Sequence, residues 1–325
     1  MLGVSTTEEL YRAFALREAR GKSPLYEQLA LGVADDPEIL GFLNTLPLGR
    51  RQPNLLLAAA RHVGGTPAGY AEFRECVLGN RDVVAATMLS RRTQTNEVGR
   101  CTGLYPILAS LPQPIALIDV GASAGLCLLA DKFRYEYDGV VAGDVDSPLT
   151  LRCHVEGEPF ELGPLNISWR AGIDLNPLEV TSRDDVEWLR TLVWPGEDER
   201  LARLDAAIAL AQADPPRVVA SDLNEGLEEL AAQAPSDATL VVMHTAVLWY
   251  VPEPGRVSFL ERIRGMGCHW LAQEAPGLFP HIDERLRERP RDDVATYVLS
   301  LDHEPLAFTA PHGGWIRRLT GSVHR

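Results

Sequence analysis

The sequence predicts a doubly wound α/β fold, with a mostly parallel sheet that ends in an antiparallel hairpin and an all-helical domain in front of it. Three observations predict this. Residues 1–112 carry helix start and stop signals but no alternating strand pattern. After Pro112-Gln113-Pro114, short apolar runs alternate with helical ones, as strands buried on both faces do when helices connect them. Two late apolar runs, near 295–301 and 306–309, lie too close together for a crossover helix and read as a hairpin.

In order along the chain, Ser5-Thr6-Thr7-Glu8 reads as a capping box opening a first helix that runs to Gly21. Pro24, Pro37 and Pro53 mark first helical turns, and Gly64-Gly65-Thr66-Pro67 marks a break. Helical patterns follow at 68–78, 81–89 and 94–110. Ile115–Val120 is the first buried strand, followed by a glycine turn and a helical run from Leu126 to Lys132. Further strands are expected at 167–173, 217–220, 239–244 and 269–273, with helices at 183–193, 198–212, 226–233 and 255–266. The chain thus divides into a helical cap or substrate lobe, 1–112, and an α/β domain, 113–325. Residues 134–166 fit the alternation poorly and read as an insertion of short strands.

Composition narrows the function. A net charge of −14 argues against nucleic acid, because phosphate binding needs basic surface to displace counterions. It favours a small-molecule or protein substrate. The five cysteines have no metal-ligand spacing, the histidines are scattered, and no metal site is expected. With no signal-like N-terminus and no apolar run near the roughly 20 residues that span a bilayer, a cytoplasmic protein is expected.

The chemistry concentrates in Asp119-Val120-Gly121-Ala122-Ser123-Ala124-Gly125, between a buried strand and a helical run. Gly121 and Gly125 leave room for a ligand at the backbone, and a helix N-terminus offers free N–H groups. Asp119 accepts hydrogen bonds from a cationic amine but repels a pyrophosphate. The same residues spell Gly121-x-Ser123-x-Gly125, a nucleophile elbow. On that reading Ser123 is a hydrolase nucleophile, with Asp222 and His303 or His312 completing a triad. Against it, no oxyanion-hole segment precedes the turn, too little sheet lies upstream, and Asp119 is left without a role.

From Pro114 onward this order resembles class I, Rossmann-like methyltransferases that use S-adenosylmethionine. Asp119–Gly125 resembles their first motif, with Ser123 in the middle glycine's place. The resemblance implies that Asp174, in Ala171-Gly172-Ile173-Asp174, binds the ribose hydroxyls. It implies that Asp222, in Ser221-Asp222-Leu223, meets the adenine, and that His244-Thr245 borders the reacting methyl. Asp174 follows Gly125 by 49 residues rather than the usual ~20, so the insertion must loop out. Otherwise Glu136 or Asp138 takes the ribose role. The whole chain also resembles an uncharacterised bacterial domain-of-unknown-function family. That resemblance rests on Thr93–Arg100, Asp119–Leu126, Arg170–Asp174 and Val193-Trp194-Pro195 together, and it implies a methyltransferase-like fold without a substrate.

Beside the turn, Gln94, Asn96, Glu97 and Arg100 form a polar stretch that lines a substrate pocket or a plain surface. Trp249 and Tyr250 are packing aromatics or a wall facing a cation. His244, Glu274 and Glu97 are the candidate bases for acceptors that must lose a proton. A protein that binds the cofactor without catalysis is a third reading.

Overall fold

The computed structural model describes residues 6–291 and 294–320. Contacts divide the chain into two units: Met1–Thr95 with Ser182–Ala202, and Asn96–Thr181 with Arg203–Arg325.

The first unit is helical. Helix α1 spans Thr7–Phe14, and its capping box sits one residue later than expected. The Thr6 hydroxyl accepts from the Glu9 amide at 3.1 Å and the Glu9 carboxylate accepts from the Thr6 amide at 2.8 Å. Ser5 lies outside the described residues. Pro24, Pro37 and Pro53 open α2 (Pro24–Ala34), α3 (Pro37–Asn44) and α4 (Pro53–Gly64), where a missing N–H costs no helical bond. Helices α5 (Tyr70–Gly79) and α6 (Arg81–Ser90) follow. Residues 91–97 form neither helix nor strand, so the helix expected from 94 begins late: α7 spans Cys101–Ser110 and belongs to the second unit. Helix α8 (Arg183–Leu192) packs with the N-terminal helices. Arg61 Nη1 donates to the Thr191 and Val193 carbonyls at 2.9 and 2.8 Å, and the buried Trp188 indole donates to the Arg92 carbonyl. Helix α9 (Asp198–Ala213) carries the chain back.

The second unit is mixed α/β, built on an 11-stranded, mostly parallel sheet. Its strands are β1 (Ile115–Val120), β2 (Arg134–Tyr137), β3 (Val140–Gly143), β4 (Thr150–Glu156), β5 (Ile167–Asp174) and β6 (Val218–Ala220). After them come β7 (Thr239–Thr245), β8 (His269–Glu274), β9 (Tyr297–Leu301), β10 (Glu304–Thr309) and β11 (Trp315–Arg318). They are ordered β3-β2-β4-β11-β10-β9-β8-β7-β1-β5-β6. Strands β6, β5, β1, β7 and β8 run parallel, and β9 and β10 form the expected antiparallel hairpin against β8.

The 134–166 segment does not loop out. Its strands extend the opposite end of the sheet, with β4 parallel to β11 and β2 parallel to β4. That leaves β5 as the neighbour of β1, with Asp119 beside Gly172 and Val120 beside Ile173. Asp174 therefore ends the strand next to the glycine turn, whereas Glu136 lies on a strand seven positions away and Asp138 just beyond it.

Consecutive strand residues point to opposite faces. Ile118, Val120, Ile173, Val242, Trp270 and Phe308 share one face, where they pack in a core with Phe259 and Ile263 of α11 (Glu253–Gly265) and Leu227 of α10 (Leu223–Ala231). Asp119, Met243, Thr245 and Gln273 therefore face the other side, where Gly103 of α7 lies close to Gln273 and Thr309.

Candidate functional site

The turn after β1 is tightly wound. Gly121, Ser123 and Gly125 all adopt positive φ, at 73°, 54° and 73°. The two glycines have no side chain for an immediate reason: a Cβ at Gly121 would lie 2.4 Å from Val247, and one at Gly125 would lie 2.8 Å from Pro216. The space beside them is filled by protein rather than kept for a ligand.

Most of the turn's amides are also spent. Gly121 N donates to Ile173 O, Ser123 N to Asp174 Oδ2, Gly125 N to Ala122 O, and Leu126 N to Asn96 Oδ1 at 2.9 Å. Leu126–Lys132 is a 3-10 segment kinked at Leu129, not an α-helix. The expected α-helix start, with its full set of free N–H groups, is therefore not formed.

Asp119 is the group this leaves. It is 4% exposed, and no protein group among the described residues hydrogen-bonds its carboxylate. Burial pushes its carboxyl up from 3.8 to about 8; the Asp174 charge pushes the same way and Arg100 opposes. Asp174 holds the turn in shape, accepting from Ser123 N at 2.9 Å and Asn176 N at 2.8 Å. Asp222 caps α10 through the Asn224 amide at 2.8 Å.

On the Asp119 face, the chain before α7 supplies the remaining polar groups. Asn96 Oδ1 pins the end of the glycine turn. Glu97 accepts from Gly99 N at 3.1 Å and lies 3.6 Å from both Arg203 and His312. Side-chain bonds of this kind compete with helix formation and explain why the helix starts late. Gly99 packs backbone to backbone against His312 and Gly313, bringing the 311–314 loop to Arg100. Arg100 is buried. Its Nε donates to Pro311 O at 2.9 Å and its Nη1 to Thr245 O and Oγ1 at 3.0 and 3.2 Å. Its guanidinium lies 5.8 Å from the Tyr297 ring centre. Gln94 falls in the first unit.

His244 and Glu274 sit on the opposite face of the sheet from Asp119. His244 is fully buried: its Nδ1 lies 2.7 Å from Glu274 Oε1, and its Nε2 accepts from the Trp270 indole at 2.9 Å. An accepting Nε2 places the proton on Nδ1, which donates to Glu274. The same Glu274 oxygen accepts from Val247 N and Leu248 N at 2.9 and 3.0 Å. This pair fixes the chain leaving β7, where Ala246 has a positive φ of 55°. Both nitrogens of the expected base are thereby occupied, and the expected grouping of His244 with Asp119 is split by the strand alternation.

Trp249 and Tyr250 follow on a 3-10 turn, 64% and 68% exposed, so packing is not their role. Leu175, 76% exposed, follows Asp174. These apolar side chains leave the carboxyl ends of β7 and β5, the two neighbours of β1. His303 bonds His281 at 3.0 Å and His312 lies against Glu97, so neither candidate triad histidine is oriented by Asp222.

Sequence reasoning passed over Gln273, Thr309, Val247 and Trp270. Gln273 is fully buried, donates to Thr309 Oγ1 at 2.7 Å, and leaves Oε1 with no partner. Strand alternation from Thr245 was the signal available for it.

Residues 8–318 match the family described as an uncharacterized protein conserved in bacteria (DUF2332), and the chain belongs to it. The curated proteins contain no match. No helix among the described residues is long and apolar enough to cross a membrane.

Proposed function

We propose that this protein is an S-adenosylmethionine-dependent methyltransferase of the Rossmann-like class, acting on a small molecule or a protein side chain. One observation carries the reading: Asp119 is buried, without a hydrogen-bond partner among the described residues, at the end of the central strand. The strand order β6-β5-β1-β7-β8 around it supports the class, since ligands of open α/β sheets bind at the carboxyl ends where strand order reverses.

The donor set fits a cationic ligand. Most of the turn's amides are consumed internally and Asp119 and Asp174 stand beside it, so a phosphate gains little there and a positive group gains a charged acceptor. Asp119 would hold the cationic end, Asp174 the ribose hydroxyls, and Asp222 and Leu175 the adenine side. When bound, S-adenosylmethionine supplies the methyl group and, through its sulfonium, the driving force for transfer. The chain's own task is then to align the acceptor and exclude water. Trp249 and Tyr250 stand where an acceptor would enter. Of the three candidate bases, only Glu97 lies on the Asp119 face, and it is already engaged by Gly99 N and Arg203. Positioning therefore outweighs proton removal in this reading.

The test is calorimetric titration with S-adenosylhomocysteine, on the parent and on Asp119→Asn. Binding by the parent and its loss in the variant is the expected result. No binding by the parent, together with fluorophosphonate labelling of Ser123, would replace this reading with a serine hydrolase.

A further inference from the structure

The helical unit holds a pair of cations that the chemistry at the sheet does not use. Arg50 ends a 3-10 turn just before α4, and Arg92 lies two residues past the end of α6. Their guanidinium groups converge on one carbonyl. Arg50 Nη1 donates to Arg91 O at 3.0 Å, and Arg92 Nη1 donates to the same oxygen at 3.1 Å. Two nitrogens bonded to one oxygen stand no more than roughly 6 Å apart, a range at which like charges repel.

No acid relieves that repulsion. Among the described residues, every acceptor of the two side chains is a backbone carbonyl, and neither side chain joins an ion pair. Arg91 differs: it pairs with both Asp184 and Asp185. Burial lowers the Arg50 and Arg92 guanidinium groups from their ordinary value, and Arg92 lowers Arg50 further. In a chain of net charge −14, a close cationic pair left without an acid is an exception.

The surroundings hold the pair in place. The Trp188 indole donates to Arg92 O at 2.9 Å while Arg50 holds Arg91 O, so both carbonyls of this segment are fixed. Arg92 Nη1 also reaches Leu89 O at 3.2 Å. The Thr93 hydroxyl donates to Gln52 Oε1 at 3.4 Å and joins the two segments a second time. Nε and Nη2 of both arginines, and the Gln52 amide nitrogen, have no acceptor among the described residues. The open groups of this cluster are therefore donors: two charged forks and one amide.

We infer that Arg50 and Arg92, with the Gln52 amide as a third donor, form a binding site for a dianionic phosphate group. A phosphate monoester carries about −1.5 to −2 charges near neutral pH, enough to neutralise both cations, whereas a carboxylate or a phosphodiester brings one. The planar fork of arginine matches pairs of phosphate oxygens. Two sources carry this chemistry, free phosphate and a phosphorylated small molecule. A nucleic acid is disfavoured by the acidic total charge. The inference is independent of the cofactor assignment, since none of these residues belongs to the glycine turn.

The test is calorimetric titration of the full chain in buffer free of phosphate and sulfate. Phenyl phosphate, inorganic phosphate, sulfate, dimethyl phosphate and benzoate are compared. The dianions are expected to bind at least about tenfold more tightly than the diester and benzoate. Arg50→Gln and Arg92→Gln should each weaken dianion binding about 10–100-fold, the range for a charge-assisted hydrogen bond. Arg81→Gln removes the same charge from the same unit, but from an arginine that already pairs with Glu38, and should leave affinity within about twofold. Lowering the pH from about 7.5 to 5 takes the second charge from phenyl phosphate and should cost about tenfold, while sulfate binding holds. Where Arg50→Gln does not fold, Arg92→Gln decides, because the bonds of Arg92 run only to carbonyls one and three residues before it.

Tighter binding of phenyl phosphate than of inorganic phosphate assigns the site to a phosphorylated molecule, and the reverse order assigns it to free phosphate. The inference is overturned if no dianion binds, if benzoate and the diester bind as well as the dianions, or if Arg81→Gln weakens binding as much as the other two variants.

Discussion

Replacing Asp119 with Asn is expected to stabilise the protein while destroying its ligand site. The Asp119 carboxyl is raised from 3.8 to about 8, chiefly by burial, then by Asp174, with Arg100 pulling the other way. Between about pH 4 and pH 8 the folded protein therefore keeps a proton that the unfolded chain releases. Stability from this group is fully present below pH 4, falls as pH rises through that window, and levels off above 8. Each pH unit is worth about 1.4 kcal/mol, so some 3 units between pH 4 and pH 7 amount to about 4 kcal/mol. Asparagine has nearly the shape of the protonated acid and no charge, so it escapes the loss. The variant should match the parent near pH 4 and exceed it by up to about 4 kcal/mol near pH 7. Urea unfolding followed by circular dichroism at four pH values between 4 and 8 measures the difference. Parallel pH dependences, or a variant less stable than the parent at pH 7, would refute the claim that Asp119 is an unpartnered buried acid. Gain of stability with loss of binding is the pattern expected of a residue kept for function.

Three further outcomes follow from the same geometry. A cationic ligand selects the ionised form of Asp119, so S-adenosylhomocysteine affinity should rise roughly tenfold per pH unit from pH 6 toward 7.5, and this slope should vanish in Asp119→Asn; a flat profile in the parent counts against an Asp119–cation contact. Glu274→Ala strands the His244 Nδ1–H and the amides of Val247 and Leu248, and a loss of about 3–5 kcal/mol is expected in urea unfolding; a loss below about 1 kcal/mol would mean that water replaces the carboxylate. Gly121→Ala meets both a positive φ and Val247, and should cost more than about 2 kcal/mol. Adding Val247→Ala should return only the steric part; full recovery would show that the backbone conformation carries no cost.

Much of the sheet was legible in the sequence because it depends on local rules. Ile115–Val120 reads as buried on both faces and is. The hairpin of β9 and β10 follows from the short gap between two apolar runs. Three prolines mark three helix starts. What escaped depends on partners distant in sequence. Residues 94–97 carry a helical pattern, but Asn96 and Glu97 spend their side chains on Leu126 and Gly99, and the segment stays outside the helix. The run after Gly125 has helical composition, yet its first amide is taken by Asn96, 30 residues upstream. The short strands at 134–156 were visible, but their destination beside β11 was not, because β11 lies more than 150 residues later. For the site, Asp119 and the turn were readable, whereas the partition of His244 from Asp119 required the register between β1 and β7.

That partition explains why the conserved logic of a glycine turn does not transfer whole to this chain. A turn that binds phosphate works through free amides, and here the amides close the turn on Ile173, Asp174, Ala122 and Asn96. Binding energy must then come from side chains, and the charged side chains on that face include Asp119, Asp174 and Arg100. On the other face, His244 bonds both Glu274 and Trp270, and Glu274 Oε1 ties down Val247, whose side chain fills the space at Gly121. The buried histidine thus acts on the site from behind, by fixing the loop that shapes the turn. A ligand selected by such a site is recognised through its charges rather than through backbone contacts, which is why neutralising Asp119 or Arg100 should matter more to binding than any change among the turn's small residues.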